Sequence, residues 1–247
     1  MRRNEGHGQP GSTTMIEEIL KSHLRPEDKY IYGFANLSGL LDVKFDGFNW
    51  GISIGRKLDD LIVDGIVDGP TREYYEHYRR INKELQQLTA VISRDLNGHG
   101  IESLNIAPTV STGDLDSKYY LTLRTDLSHK MVATRAGLGW IGKTDLFISK
   151  KIGPRLRLVS ILLKKAVAPK SKPVDKSRCG RCKLCLEICP AGAGNGILWD
   201  ISIKREDFFD PWKCRNQCAE FGRSRLSEDA RVCGMCVAVC PIGQNNK

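Results

Sequence analysis

The first 178 residues contain no cysteine, and the chain of 247 residues carries only four methionines. A disulfide framework running through the fold is thereby excluded, and a chain of this length can build its own hydrophobic core. Long apolar runs are missing too. The longest, around Leu158 to Leu163, stops at Lys164 and Lys165, well short of the ~20 residues a membrane-spanning helix needs. The start, Met-Arg-Arg-Asn-Glu-Gly-His-Gly, lacks the apolar centre of a secretory signal. These absences predict a cytoplasmic protein with no membrane partner, in a compartment where thiols stay reduced. Acidic residues are the minority, 29 against 38 Lys and Arg, which leaves a net charge of +9. The excess permits RNA or an acidic electron donor as partner without specifying either. The densest basic stretch, Lys164 to Arg178, contains Pro169 and Pro173 and reads as a solvated linker.

All nine cysteines lie between residues 179 and 240. Cys179, Cys182, Cys185 and Cys189 follow C-x2-C-x2-C-x3-C with Pro190 next, the run found in bacterial ferredoxins. In that run three thiolates serve one cubane and the fourth crosses to another, so two 4Fe-4S clusters are expected. The second block, Cys233, Cys236 and Cys240 before Pro241, closes the count. Cluster I takes Cys179, Cys182, Cys185 and Cys240; cluster II takes Cys189, Cys233, Cys236 and either Cys214 or Cys218. Pairs of the C-x2-C type also bind zinc, but zinc has no use for the third cysteine or for the x3-C-P ending.

The cysteine boundary divides the chain into a tail, 1–13, expected to be disordered, an α/β (α+β) front domain over 14–168, and a small ferredoxin-like domain over 169–247. Thr14 and Glu17 have capping-box spacing ahead of a short helix. Tyr30 to Ala35 and Asn49 to Ile54 read as strands, and Gly55 to Val63 as helical. Thr71 caps a long helix to about Leu96, whose Tyr74, Tyr78, Ile81, Leu85, Leu88 and Ile92 share one face. A strand, Ile101 to Ile106, follows the glycines at 98 and 100. Ser128 to Arg135 is helical in character, a Gly-rich turn comes next, and Asp145 to Ser149 and Arg155 to Leu163 are further strands.

That turn, Gly137-Leu-Gly-Trp-Ile-Gly-Lys-Thr144, satisfies G-x-G-x-x-G and ends like a phosphate-binding loop. Both nucleotide motifs need a strand before the loop and a helix after it, and here the order is reversed. The glycines are better suited to letting the backbone approach a large flat or anionic cofactor, with Trp140 as a packing surface.

His129-Lys130, Ala133, Ala136-Gly-Leu-Gly-Trp-Ile-Gly-Lys143, then Gly153-Pro154-Arg155 and the cluster cysteines, resemble the epoxyqueuosine reductase family and its short paralogues, which are related to reductive dehalogenases. The resemblance runs from about residue 47 to 243 and includes Gly69-Pro70-Thr71 with Tyr75. It implies a cobalamin-binding front domain fed with electrons by two 4Fe-4S clusters, with His129, Lys130, Gly137, Leu138, Gly139, Trp140, Gly142 and Lys143 as cofactor-binding residues. It also implies Cys214 as the eighth cluster ligand and Cys218 as the spare, since the family's segment like Phe208 to Cys214 ends in a ligand. The partners implied are a reducing donor of ferredoxin or flavodoxin type and either a small-molecule substrate or a corrinoid partner protein. Two departures qualify this. The family's acidic proton donor, thirteen positions before the alanine of Ala-Gly-Leu-Gly, falls on Leu123, and the nearest carboxylate is Asp126, the candidate catalytic acid. The chain also stops seven residues after Cys240, where the full enzymes continue into a helical region that helps hold tRNA, so tRNA is expected to be a poor substrate.

Overall fold

The computed structural model describes residues 10–110 and 112–244. In chain order, the elements that position the site are α1 (Pro10–His23), β1 (Tyr30–Asn36), β2 (Trp50–Lys57), α2 (Asp60–Asp64), α3 (Arg72–Gly98), β3 (Ser103–Ile106), α4 (Ser117–Thr122), α5 (His129–Arg135), β4 (Gly139–Ile141), β5 (Phe147–Ser149), β6 (Leu156–Leu163), α6 (Leu184–Glu187), α7 (Arg205–Phe208), α8 (Pro211–Phe221) and α9 (Met235–Ala238).

The strands β1, β2, β6 and β3 form one sheet in the order β1-β2-β6-β3, and every neighbouring pair is antiparallel. The α+β form of the expectation therefore holds for this sheet, and the alternating α/β form does not. Side chains of successive strand residues point to opposite faces. One face presents Phe34, Ile52, Ile54, Val159, Ile161 and Leu163, all buried, to α1 and α3. Thr71 caps α3 as expected, its hydroxyl accepting from the Tyr74 amide at 3.1 Å. Ile81, Leu85, Ile92 and Leu96 line its inner stripe, each at most 1% exposed. Burial on that scale is worth about 1.5–3 kcal/mol per side chain, enough to hold a helix whose outer face is strongly charged.

The opposite face is built for close approach. A Cβ on Gly51 would stand 2.7 Å from Leu37 and 3.3 Å from Val132 of α5, and one on Gly33 would stand 3.2 Å from the Ala136 carbonyl. The missing side chains let α5 lie directly on the sheet. The chain leaving α5 turns at Gly137 (φ +72°) into the β4–β5 hairpin.

Three expectations are corrected. Residues 10–13 belong to α1, whereas 1–9 of the expected tail lie outside the described residues. Gly55 to Val63 is not one helix: β2 continues to Lys57 because β6 supplies partners as far as Leu156, and only Asp60–Asp64 is helical. The Gly-rich turn contains β4, because Phe147–Ser149 pairs with it. Among the described residues no helix is long and apolar enough to cross a membrane.

The cysteine-rich region is interlocked with the sheet. Phe221, Val232, Met235 and Val237 share a core with Ile66, Tyr74 and the strands. Arg155, 2% exposed, donates to Asp60 Oδ1 at 3.3 Å, Asp64 Oδ1 at 2.6 Å and the Ala238 carbonyl at 3.1 Å.

Candidate cluster-binding site

Short helices and turns bring the thiols together. Cys185 rides on α6 and Cys189 follows it, α9 carries Cys236, and α8 carries Cys214 and Cys218 one turn apart. Helix α8 begins at Pro211, where a missing N–H costs nothing, and Asp210 caps it by accepting from Trp212 and Lys213 at 3.0 Å. Gly234 (φ +91°) makes the turn between Cys233 and α9.

Two neighbourhoods result. Burial pushes the Cys240 thiol up to about 11; an Ile242 backbone hydrogen bond opposes this, while Cys179, Cys185 and Cys182 add to it as charged neighbours. Burial also pushes Cys236 up, and its neighbours are Cys233, Cys214 and Cys189. Cys218 lies beside the second group: interaction with Cys214 and Cys233 and burial raise its pKa, and it draws Cys233 down to about 7. All nine thiols are free of disulfides. Among the described residues, no three histidine, cysteine or carboxylate groups converge as ligands of a single ion do.

The β4–β5 hairpin reaches into this region. Trp140, buried, donates from Nε1 to Cys179 Sγ at 3.4 Å. Lys143, 4% exposed, donates to the carbonyls of Gly180 at 2.9 Å and Cys182 at 2.7 Å. A Cβ on Gly142 would lie 3.6 Å from Cys179 Sγ, and one on Gly139 only 2.0 Å from the Ile148 carbonyl. So Gly139 and Gly142 serve close approach, to the protein's own hairpin and first cysteine run. Lys130 grips the hairpin tip, donating to the Asp145 carbonyl at 2.9 Å and its carboxylate at 2.5 Å.

His129 lies inside the fold. Its Nε2 donates to the Ala107 carbonyl at 3.0 Å, so Nδ1 is the acceptor for the Ser160 hydroxyl at 2.9 Å. Burial pulls this imidazole down to about 4. Gly137 and Leu138 are differently placed. They line a groove of about 720 Å³ with Lys21, Tyr30, Tyr32 and Lys150. Asp126 sits apart from the thiols in an ion pair with Lys44, and Lys118 lies 3.9 Å away.

Sequence reasoning missed Arg155 and the groove-lining tyrosines. Arg155 stood in the Gly-Pro-Arg stretch without an assigned role, so its signal was present. The tyrosines carried none, because strand residues at the mouth of a groove have no distinctive spacing.

A family model for the 4Fe-4S binding domain matches residues 172–193. The epoxyqueuosine reductase of Synechocystis is 34% identical over 148 residues, covering 58% of this chain and 49% of that protein. The Pseudomonas aeruginosa epoxyqueuosine reductase is 30% identical over 119 residues, covering 48% and 28%. The chain is similar in sequence to epoxyqueuosine reductases. It spans less than half the length of these two relatives. A solved epoxyqueuosine reductase with an epoxyqueuosine-modified tRNA-Tyr stem loop has a similar fold, with a TM-score of 0.58 at 17% identity over 94% of this chain and 66% of that one. A reductive dehalogenase, whose structure was described in terms of B12-dependent dehalogenation, scores 0.63 at 14% identity over 87% and 30%. The model match makes the cysteine-rich region an iron–sulfur binding one.

Proposed function

We propose that the protein is a reductase in which Cys179, Cys182, Cys185 and Cys240 hold one 4Fe-4S cluster and Cys189, Cys214, Cys233 and Cys236 a second, with cobalamin as the centre they serve. The observation that carries the reading is the pair of four-thiol neighbourhoods. Four thiolates at close quarters repel one another, and a cationic iron centre reverses that penalty by holding them deprotonated. The donor set therefore fits the clusters. On this reading residues 169–247 are the cluster-holding unit and 14–168 the cofactor unit.

For cobalamin, the fitting feature is the groove at Gly137 and Leu138. Its volume is in the range of small-molecule sites, Tyr30 and Tyr32 line it, and Lys21, Lys150 and Lys151 there outnumber Glu27 and Asp28. When bound, clusters and corrinoid together supply low-potential electrons and a low-valent cobalt for reductive chemistry. The chain's own residues hold and orient. Trp140 and Lys143 fix the first cysteine run, while His129, Lys130, Gly139 and Gly142 set the hairpin and the helix before it. Cys182, the exposed thiol, marks the side open to a donor of ferredoxin or flavodoxin type. Asp126 is the proposed proton donor.

The proposed substrate is a small molecule, with modified tRNA as the alternative suggested by the solved relative. Leu123, standing where the family carries an acid, favours a second reading, in which the chain reduces a corrinoid on a partner and turns over no substrate itself. Anaerobic purification followed by iron, corrinoid and absorption measurements tests the cofactors. About eight irons and one corrinoid per chain are expected. A protein that neither contains nor takes up cobalamin overturns the corrinoid assignment, and zinc or about four irons overturns the two-cluster assignment. A tight partner complex without turnover by the isolated chain selects the second reading.

A further inference from the structure

We propose that the turn around Cys182 is the docking surface for a small acidic electron-transfer protein, which delivers electrons there to the first cluster. The surface requires the first cluster of the reading above; the second cluster and the corrinoid play no part in it. The turn lies within residues 172–193, which match the 4Fe-4S binding domain.

Of the nine thiols, Cys182 alone is exposed. Its turn is held from beneath. Buried Lys143 draws the carbonyls of Gly180 and Cys182 inward at 2.9 and 2.7 Å, and Trp140 donates to Cys179. Gly180 takes φ +53°, and a Cβ added to it would meet nothing within 4 Å. The outer side of the turn is therefore open, and cations occupy it: Arg178, Arg181 and Lys183 are all exposed. Among the described residues, none of these three side chains has a hydrogen-bond or ion-pair partner. From Lys176 to Trp199 the sequence carries four cations and a single acid, Glu187. Lys176 is bridged to Asp200 through the backbone and lies near its carboxylate, which leaves the other three uncompensated. Leu184, 42% exposed, adds an apolar contact beside them.

Electron tunnelling falls steeply with distance, so a protein donor is effective where the cluster comes nearest to the surface. Uncompensated cations around that point attract a partner of opposite sign and speed its encounter. The interface that forms can stay small and short-lived, as redox encounters are. Electrons pass one at a time: the donor is oxidised, the cluster is reduced, and no bond is made or broken. RNA would be drawn by the same charge. The run from Lys176 to Leu184 contains no aromatic residue on which a base could stack, and this favours an acidic protein.

The test is stopped-flow reduction of the anaerobically reconstituted full chain by a reduced flavodoxin of acidic surface. Three proteins are compared: the parent, Arg181→Glu with Lys183→Glu, and Lys83→Glu with Arg94→Glu, an equal charge change on the exposed face of α3. Iron is measured for each, and photoreduced deazariboflavin serves as a small uncharged donor. At low salt the turn variant is expected to take electrons from flavodoxin about tenfold more slowly than the parent, with the difference shrinking as salt is raised. The α3 variant should stay near the parent, and with deazariboflavin all three should react alike. Arg181→Gln with Lys183→Gln replaces the glutamate pair should that one fail to take up iron, with a smaller fall of the same sign. A turn variant as fast as the parent with flavodoxin, or an equal fall in the α3 variant or with deazariboflavin, overturns the docking surface alone. So does an RNA stem loop that binds the parent and not the turn variant while flavodoxin reduction is unchanged. A parent that takes up no iron overturns the cluster reading and this proposal with it.

Discussion

The buried guanidinium of Arg155 donates from Nη2 to the Ala238 carbonyl at 3.1 Å, joining the start of a central strand to the helix that carries Cys236. The same group pairs with Asp60 and Asp64, so one cation ties α2, β6 and α9 together. Arg155→Ala leaves the Asp64 carboxylate and the Ala238 carbonyl without their donor, while Asp60 keeps Lys57. Because Asp60 and Asp64 keep partial access to water, the loss is expected near the low end for breaking a buried pair, about 3 kcal/mol. For a chain of this size that is a fall of roughly 6–12 °C in melting temperature. Arg155→Lys, which keeps the charge but not the fork, should lose less. Calorimetry on both variants checks the ranking, and an alanine variant as stable as the parent would refute it.

Gly153 has φ +61°, and a Cβ there would stand 1.8 Å from the Ile242 carbonyl. Gly153→Ala therefore combines left-handed strain with a backbone clash and should displace the segment after Cys240, lowering stability by more than about 2 kcal/mol. Gly98→Ala is the control: nothing lies within 4 Å of its added methyl at the end of α3, and the change should be neutral or stabilising by up to about 1 kcal/mol. Limited proteolysis of the two variants should show early C-terminal cleavage only in the first.

Burial of His129 gives a pH dependence with a definite sign. Its folded pKa, about 4, lies below the ordinary 6.5, so between these values the unfolded chain binds the extra proton. Stability therefore rises with pH across that window and is lost as pH falls from about 6.5 towards 4, by about 3 kcal/mol for this residue. Denaturant unfolding at several pH values should show the slope in the parent. His129→Gln should be less stable at neutral pH and should lack this component of the slope.

The ninth thiol separates ligand from neighbour. Cys214→Ala should lose one cluster's worth of iron, whereas Cys218→Ala should keep both, if the resemblance to epoxyqueuosine reductases rightly makes Cys214 the ligand and leaves its neighbour Cys218 the spare. Iron content and cluster spectra of the two variants decide it. The reverse pattern would exchange the assignments.

Much of this fold was legible where the signal is local. The stripe from Tyr74 to Ile92 and its Thr71 cap gave α3 because a helix needs no distant partner to reveal its period. Proline and glycine at 10 and 11 read as tail, yet proline suits the first turn of a helix, and α1 starts there. The extension of β2 to Lys57 was hidden because its partner, β6, lies about a hundred residues later in the chain. The iron–sulfur character of the first cysteine run was legible for a chemical reason: cluster ligation demands one residue type at fixed spacing. That Trp140 and Lys143 are turned towards those cysteines was not, since their neighbours are set by how a hairpin folds back across the molecule.

Met235 and Val237 alternate with Cys233 and Cys236 in the same short turn, and both are buried in the core shared with α3 and the sheet. On the two-cluster proposal, iron binding at these cysteines and the completion of that core would be one thermodynamic event, each stabilising the other. Oxidative loss of the nearby cluster would loosen the front sheet as well as stop electron flow, so a damaged molecule would expose itself to proteolysis. On that proposal the arrangement would make redox integrity a condition of the protein's persistence, and the shared core ties the cysteine region to the sheet.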